Sequence, residues 1–283
     1  MSLLLCTDLD RTLIPNGSAL ESPQARLRFR AFILGSPVTL AYVTGRDLTL
    51  VQEAIQVYDL PQPHFVIADV GASLYDFRVQ KTPQRLKEWD AQIGAAWERR
   101  DAQGLIPVLA ELMADSPCRL QEPEKQGRYK LSYYLEGELN PEPLLKAVKQ
   151  RLQGLNLDAN LIWSVDESAG VGLLDILPPG ANKSQAIAYL MERQDFSLEN
   201  TLFAGDSGND LDVLLSPIKA ALVANAHPQV KAEVRRRIAE ENCEATLYFA
   251  QGVGPGNGNY SDGILEGVAH FFPEIIAEFS APL

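Results

Sequence analysis

The sequence predicts an α/β fold in which a core with a parallel sheet is interrupted by an inserted α+β domain with an antiparallel sheet. Apolar runs and helical patterns alternate at both ends of the 283-residue chain, as in a parallel sheet with crossover helices. Between them, residues 127–136 alternate and are rich in aromatic side chains, which is typical of an antiparallel strand with one buried face. We therefore expect the core to comprise residues 1–80 and 179–283 and the inserted domain to comprise residues 81–178.

The first part of the core begins with the apolar run Leu3–Thr7, which predicts a buried strand. A helix start signal at Ser22-Pro23 follows, with helical apolar spacing after it. Two later apolar runs predict the next strands of a parallel sheet. The expected elements are a helix at 22–34, a strand at 38–43, a helix at 48–57 and a strand at 65–68.

The pattern changes in the middle of the chain and returns near its end. In the inserted domain we expect two helices within 84–115, a helix at 143–152, and strands at 127–136, 160–165 and 172–177. Pro178-Pro179-Gly180 is a natural hinge back to the core. The expected elements there are helices at 183–193, from Leu211 and at 228–239, strands at 201–204 and 219–223, and a glycine-rich loop at 252–263.

The charge balance limits the class of partner. The net charge is −12 and the pI is near 4.8, whereas a nucleic-acid surface would be basic, and an anionic membrane surface is disfavoured for the same reason. A phosphorylated substrate remains compatible if a metal and a few cations neutralise the phosphate locally. Three widely spaced cysteines without a CxxC motif indicate reduced thiols, and no signal-peptide pattern precedes the first strand, so we expect a cytoplasmic protein.

Four polar clusters each follow a predicted core strand or begin a core helix. They are Asp8 with Asp10, Thr44-Gly45-Arg46, Asn182-Lys183, and the run Asp206–Asp210. Because ligands bind outside the carboxyl ends of the strands in an open parallel sheet, we expect these clusters to meet at one edge. Three acids, a hydroxyl and a lysine at one edge indicate a metal-assisted phosphoryl-transfer site.

The two acids after the first strand can take different roles. Asp8 can attack phosphorus as a nucleophile and form an aspartyl-phosphate, while Asp10 can act as general acid and then as general base. Mg²⁺ prefers hard oxygen ligands, which Asp8, the Asp10 backbone carbonyl and Asp206 could supply, with Asp210 as a further ligand or as a residue that supports the ligands. Taken alone, the Asp8-Leu9-Asp10 segment is equally compatible with an acidic turn at the end of a strand.

The remaining core residues of these clusters are expected to contact substrate. Thr44 and Lys183 would bind the phosphoryl oxygens and stabilise negative charge. Packing over the following helix is the alternative for Arg46, and capping of a helix is the alternative for Asn209 and Asp210. The predicted substrate ligands in the core are Gly45, which would let the backbone approach the phosphate, Arg46, Asn182 and Asn209.

The inserted domain offers further candidates on one face of its aromatic-rich strand. Alternation places Lys130, Ser132 and Tyr134 on the same face. We expect Lys130 and Ser132 to bind substrate, with a solvated lysine as the alternative for Lys130. Asp175 is a further candidate for binding sugar hydroxyls.

These residues resemble the motifs of the haloacid dehalogenase (HAD) superfamily. Asp8-Leu9-Asp10-Arg11-Thr12 matches its DxDxT motif, and Thr44-Gly45-Arg46, Lys183 and Gly205–Asp210 match its later motifs in order. The resemblance implies a Rossmann-like core and, because the insertion lies between the second and third motifs, a C2-type cap. It also implies that Asp8 is the nucleophile, that Asp10 is the acid and base, and that Mg²⁺ is the cofactor.

Within that superfamily the chain resembles the sucrose-phosphate phosphatases over nearly its whole length. The stretches that carry this resemblance are 40–46, 130–134, 175–178 with 182–183, and 263–271. One departure concerns the residues after the second aspartate, where these phosphatases tend to carry Asn or His and then Thr-Trp. This chain has Arg11-Thr12-Leu13 there, which leaves the chemistry untouched but bears on the identity of the sugar.

The resemblance implies a phosphomonoesterase in sucrose biosynthesis that acts on a sugar phosphate, with sucrose 6-phosphate as the first candidate. Other capped relatives act on glucosylglycerate, mannosylglycerate or trehalose phosphates, or on smaller metabolites. A phosphotransferase or mutase is a further alternative, as is a non-catalytic, sugar-binding partner of a glycosyltransferase. The expected partners are thus a sugar phosphate and a sugar-phosphate synthase, but no nucleic acid and no membrane.

Overall fold

The computed structural model describes residues 2–78, 82–98, 100–136, 140–166, 169–241, 246–253 and 256–278. Within these residues the chain forms an eight-stranded sheet and a separate four-stranded antiparallel sheet. The predicted α/β fold with an inserted α+β unit is therefore confirmed. The domain boundaries near 80 and 178 stay a prediction, and residues 79–81 lie outside the described residues.

The strands and helices follow the predicted order closely. The strands are Leu3–Thr7 (β1), Val38–Val43 (β2), Phe65–Ala68 (β3), Ser73–Asp76 (β4), Gln84–Arg85 (β5), Cys118–Leu120 (β6), Leu131–Leu135 (β7), Asn160–Asp166 (β8), Val171–Leu177 (β9), Thr201–Gly205 (β10), Lys219–Leu222 (β11) and Leu247–Phe249 (β12). The helices are Ala25–Gly35 (α1), Leu48–Val57 (α2), Lys87–Gly94 (α3), Ile106–Ala114 (α4), Glu142–Gln153 (α5), Lys183–Arg193 (α6), Leu211–Leu214 (α7), Pro228–Glu241 (α8), Ser261–Phe271 (α9) and Pro273–Glu278 (α10).

The large sheet has the spatial order β12-β11-β10-β1-β2-β3-β4-β5. The strands from β12 to β3 are parallel, β4 pairs antiparallel with β3, and β5 pairs antiparallel with β4. In β1, Leu3 and Leu5 enter one apolar cluster with helices α1, α2 and α9, whereas Leu4 and Cys6 enter the other with α6, α7 and α8. All four are fully buried, which explains why this strand is a continuous apolar run.

The small sheet has the order β6-β7-β9-β8, and every neighbouring pair is antiparallel. Leu131 and Tyr133 of β7 pack with Leu174 of β9 in an apolar cluster shared with α4 and α5. Ser132 lies on the opposite face and pairs in register with Asp175. The alternation predicted for this strand thus separates an apolar face from a polar one.

Three features differ from the predicted elements. The strand expected from residue 127 begins only at Leu131, because Gly127 and Lys130 close a turn in which the Gly127 N–H donates to the Lys130 carbonyl at 2.9 Å. Helix α9 begins at Ser261, inside the predicted glycine-rich loop. The sequence pattern also misses β4, β5, β6 and β12, since strands this short show no clear periodicity.

Candidate active site

The carboxyl ends of three neighbouring strands bring the predicted motifs together. Asp8 follows β1, Thr44 follows β2 and Asp206 follows β10. Strand β1 pairs in parallel with both β2 and β10, so these ends lie side by side. Lys183, the first residue of helix α6, reaches the same cluster.

Lys183 is the centre of a buried ionic network. Its side chain has no exposed surface, and its ammonium donates to Asp8 Oδ1 at 3.0 Å and to Asp210 Oδ1 at 2.6 Å. A third hydrogen bond joins it to Asn209 Oδ1 at 2.9 Å. Burial lowers the pKa of Lys183, but the carboxylates of Asp210 and Asp8 outweigh burial and raise that pKa. The lysine is therefore held as a cation.

Asp210 also holds the loop that carries Asp206. Its Oδ2 accepts hydrogen bonds from the backbone N–H groups of Asp206 and Ser207, each at 3.0 Å. A Cβ at Gly205 would lie 2.6 Å from the same oxygen, so the last residue of β10 must lack a side chain to admit the carboxylate.

Asp206 has two further partners in the first motif. Thr12 Oγ1 donates to Asp206 Oδ1 at 3.0 Å, and Arg11 Nε lies 3.3 Å from Asp206 Oδ2. Burial, together with the charges of Asp8 and Asp210, raises the pKa of Asp206 well above its ordinary value in spite of these two partners. The site therefore carries more negative charge than its own cations offset.

The acids Asp8, Asp206 and Asp210 fit a divalent cation. Each offers a carboxylate oxygen, these oxygens lie within 4.8 Å of one another, and all three residues are buried. Burial raises the pKa of Asp8 to about 7, with Lys183 opposing the rise and Asp210 adding to it. Buried carboxylates in excess of their cations are unfavourable, and hard oxygens are the ligands that Mg²⁺ prefers. This donor set therefore fits the expected Mg²⁺.

Asp10 is held outside that group by a bidentate contact with Arg46. Arg46 Nε donates to Asp10 Oδ2 at 2.8 Å, and Arg46 Nη2 donates to Asp10 Oδ1 at 2.6 Å. Asn16 Nδ2 also donates to Oδ1, at 2.6 Å. Burial raises the pKa of Asp10, but the contacts from Arg46 and Asn16 outweigh burial, so that the pKa is lowered. The ionised form of Asp10 is thus favoured here.

A cavity of about 730 Å³ lies between the carboxyl edge of the large sheet and the polar face of the small sheet. This volume is within the range of about 300–1,000 Å³ found for small-molecule sites. The residues that line it are Asp8, Asp10, Arg11, Asn16, Gly17, Ser18, Ala19, Thr44, Gly45, Arg46, Leu50, Gln121, Lys125, Lys130, Tyr134, Ser164, Val165, Asp166, Leu173, Asp175, Ser207, Asn209, Asn225 and Tyr260.

The predicted substrate ligands lie in different places relative to this cavity. Those that line it are Gly45, Arg46, Lys130 and Asn209. Ser132 lies behind Asp175, to which its hydroxyl donates at 2.5 Å. Asn182 is not among the lining residues, and its side chain caps helix α6 by accepting the Gln185 N–H at 2.7 Å. A binding role for these residues stays a prediction.

Several lining residues were not selected from the sequence. Asn16 follows the DxDxT motif in the Pro15-Asn16-Gly17 turn, so its proximity to Asp10 could have been a signal. Asn225 and Tyr260 lie in loops without a motif. They meet because Asn225 Oδ1 accepts the Tyr260 N–H at 2.8 Å, a contact between residues far apart in the chain.

The fold and the site define a phosphatase of the HAD superfamily. The model of the sucrose-6F-phosphate phosphohydrolase family matches residues 1–272, and the chain belongs to this family. It is therefore a phosphoric monoester hydrolase. Within the described part of the chain, no helix is long and apolar enough to cross a membrane.

Similar proteins extend over most of the chain. A HAD-like hydrolase of Nitrosococcus oceani is 51% identical over 273 residues, which are 96% of this chain and 72% of that protein. The solved structure of the Synechocystis sucrose-phosphatase in complex with sucrose and phosphate has a TM-score of 0.75 at 25% identity and covers 96% of this chain and 98% of its own. The mannosylfructose-phosphate phosphatase of Agrobacterium fabrum is 25% identical over 95% of this chain and 96% of its own. The chain spans about half the length of the tobacco sucrose-phosphatases it also matches.

Proposed function

We propose that the protein is a Mg²⁺-dependent phosphomonoesterase that releases phosphate from a sugar phosphate, with sucrose 6-phosphate as the first candidate. The observation that carries this proposal is the group of buried acids around Lys183 at the cavity. Their excess negative charge suits a divalent cation, and the cation and Lys183 together would receive a phosphate.

The chain's own acids would hold the metal. Asp8, Asp206 and Asp210 would each contribute a carboxylate oxygen, with the backbone carbonyl of Asp10 as a further predicted ligand. Bound there, Mg²⁺ would offset the charge of the phosphate and of the attacking carboxylate.

The reaction would divide between the two acids of the first motif. A carboxylate oxygen of Asp8 attacks phosphorus, and the P–O bond to the sugar breaks while Asp10 gives a proton to the leaving oxygen. Water then attacks the aspartyl-phosphate and gives its proton to Asp10, which restores the Asp8 carboxylate and releases phosphate. Because Arg46 favours the ionised form of Asp10, we expect Arg46 to leave Asp10 when the substrate phosphate enters.

Thr44 lines the cavity and would bind a phosphoryl oxygen, whereas Lys183, which is fully buried and donates to Asp8, Asn209 and Asp210, would act on the phosphate through its charge. Thr44 Oγ1 accepts the Arg46 N–H at 3.2 Å, which leaves its own hydroxyl proton for the substrate. A Cβ at Gly45 would meet only Val70 Cγ2, at 3.8 Å, so the backbone there is open to a close ligand. Lys183 adds a fixed positive charge from within the protein.

The sugar would lie toward the small sheet. Lys130, Tyr134 and Asp175 line that side of the cavity and offer donors and acceptors for hydroxyl groups. The Synechocystis relative was solved with sucrose and phosphate, which supports sucrose 6-phosphate. The Agrobacterium relative is named for mannosylfructose phosphate, and Arg11 departs from the sucrose-phosphatase pattern, so other disaccharide phosphates form the second candidate class.

A substrate panel tests this function. We expect kcat/KM for phosphate release to be highest for sucrose 6-phosphate and lower for the phosphates of glucosylglycerate, mannosylglycerate, trehalose and mannosylfructose. Removal of Mg²⁺ with a chelator should stop turnover of them all. A clear preference for another sugar would remove the sucrose assignment. Binding of sugar phosphates without release of phosphate would support the non-catalytic alternative.

Substitution of the nucleophile is the matched test of mechanism. Asp8→Asn should abolish turnover, while thermal unfolding shows that the fold is kept. Sugar-phosphate hydrolysis by Asp8→Asn at the parent rate would rule out the proposed role of Asp8.

Association with a sugar-phosphate synthase and a cytoplasmic location are further proposals. The first rests on the expectation that a disaccharide phosphate is made by a glycosyltransferase and passed on. Co-purification of the two enzymes from the native cell, followed by cell fractionation, would test both.

A further inference from the structure

A buried acid outside the cavity faces a lysine that lines it. Asp69 follows strand β3 and is 4% exposed. Its Oδ2 accepts the hydroxyl of Ser73 at 2.7 Å. Its Oδ1 lies 3.5 Å from Nζ of Lys130 and accepts no hydrogen bond within the described residues. A buried carboxylate oxygen without a hydrogen bond is unfavourable unless a nearby charge compensates for it.

Lys130 joins the two units of the molecule. It immediately precedes strand β7 of the small sheet, is 4% exposed, and donates to the Gly45 carbonyl at 2.8 Å. Gly45 follows Thr44, the proposed phosphate ligand, at the edge of the large sheet. The lysine therefore reaches from the small-sheet unit into the loop that would bind the phosphate.

The backbone around Asp69 holds the same loop from the other side. The Asp69 N–H donates to the Arg46 carbonyl at 2.9 Å, and the Val70 N–H donates to the Thr44 carbonyl at 3.0 Å. Asp69 and Val70 both have left-handed backbone conformations, with φ of 54° and 58°. Such strained conformations persist where the surroundings force them, often at ligand-binding sites.

The turn 69–71 packs closely against the residue that precedes helix α6. A Cβ at Gly71, whose φ is 100°, would lie 2.3 Å from the backbone carbonyl of Asn182, which directly precedes Lys183. The turn 69–71 is thus fixed between the Thr44 loop and the start of helix α6. From this position the carboxylate of Asp69 faces Lys130.

We propose that Asp69 is a positioning residue that holds Lys130 against the Gly45 carbonyl and so fixes the small-sheet unit over the proposed phosphate loop. Asp69 does not line the cavity, so it acts through Lys130. Lys130 and Asp175, whose carboxylate accepts the Ser132 hydroxyl, both line the cavity. This inference rests on the proposed function for its effect on substrate, but the contact itself does not.

The variant Asp69→Asn isolates the charge. Asparagine has nearly the same shape and tolerates a left-handed backbone conformation, so the turn should be kept. We expect kcat/KM for the preferred sugar phosphate to fall by about tenfold, mainly through KM, because a buried charge has lost its partner. Hydrolysis of p-nitrophenyl phosphate, which is too small to span both units, should stay within about twofold of the parent.

A double-mutant cycle with Lys130→Met shows whether Asp69 acts through the lysine. Asp69→Asn should have no further effect in the Lys130→Met background. A merely structural Asp69 would reduce hydrolysis of both esters in either background, and that result would overturn the proposal. Asp76→Asn is the matched control, since Asp76 is also a buried acid but pairs with Arg78 away from the cavity.

Hydrogen exchange in the free protein tests the contact without any substrate. The peptide covering 127–131 should exchange faster in Asp69→Asn and in Lys130→Met than in the parent. In the double variant it should exchange no faster than in either single variant. Unchanged exchange in both single variants would refute the Asp69 proposal. A parent protein that hydrolyses no sugar phosphate would refute the proposed function instead, and the exchange result would still decide the contact.

Discussion

Replacing Lys183 by methionine should expose the energetic role of the buried network. The side chain is completely buried and holds Asp8 and Asp210 through hydrogen bonds of 3.0 and 2.6 Å. Methionine keeps most of the apolar stem but removes the charge. Breaking a buried ion pair by removal of one partner costs about 3–5 kcal/mol, because the other charge is left uncompensated.

That loss is large beside the total stability of a folded domain, about 5–15 kcal/mol. With a shift of about 2–4 °C per kcal/mol for a chain of roughly this size, Tm should fall by about 6–20 °C. The matched control is Lys149→Met, which removes an exposed lysine from helix α5 and should change Tm by little.

The stability lost in Lys183→Met should also depend on pH. In the parent, burial raises the pKa of Asp8 to about 7 although Lys183 lowers it, and the unfolded value is near 3.8. Without Lys183 the pKa of Asp8 rises further, so the folded variant binds more protons than the unfolded chain over this range. Lowering the pH therefore favours the folded variant, and the stability lost at pH 8 should be partly recovered at pH 5.5.

Urea unfolding of parent and variants at pH 8 and pH 5.5, in the absence of Mg²⁺, measures both effects. We expect the difference between parent and Lys183→Met to be largest at pH 8. A difference below about 1 kcal/mol at pH 8, or one that grows as the pH falls, would show that Lys183 does not compensate Asp8 and Asp210.

Two further substitutions test particular contacts. Arg11→Asn removes the guanidinium that lies 3.3 Å from Asp206 Oδ2 and would compete with a metal for that carboxylate. Titration calorimetry should then show Mg²⁺ binding about two- to fivefold more tightly, as expected for loss of an ion pair worth about 0.5–1 kcal/mol. Weaker Mg²⁺ binding would contradict competition at Asp206. Asn182→Ala removes the N-cap of helix α6 and should lower the free energy of unfolding in urea by about 1 kcal/mol, with KM unchanged. A raised KM without a loss of stability would instead support the predicted contact with substrate.

The sequence was sufficient to predict the strands that carry the motifs and the place where the motifs meet. Strand β1 is apolar on both faces because the sheet is covered on both sides, so it stands out as an uninterrupted run before Asp8. Parallel pairing then places the carboxyl ends of neighbouring strands together, independently of the sequence between the strands. The meeting of the acids with Lys183 therefore follows from the sequence pattern and the parallel pairing.

Contacts between the two units could not be predicted in the same way. Lys130 lies in a turn before strand β7 and donates to the Gly45 carbonyl, a contact that its place in the alternating pattern does not predict. Binding of substrate by Lys130 stays a prediction. Asp69 belongs to no motif, and its contact with Lys130 depends on a left-handed turn that the sequence pattern does not indicate. Asparagine is suited both to binding a ligand and to capping a helix, and the capping contact of Asn182 with Gln185 depends on where helix α6 begins.

Trapping the covalent intermediate tests the central claim most directly. The enzyme would be mixed with its preferred sugar phosphate and Mg²⁺, quenched within one turnover, and reduced with borohydride, which converts an aspartyl-phosphate to homoserine. Peptide mass spectrometry should then find homoserine at position 8 alone, and only in samples that received substrate. Steady release of phosphate with Asp8 unmodified, or homoserine at Asp206 instead, would contradict the account.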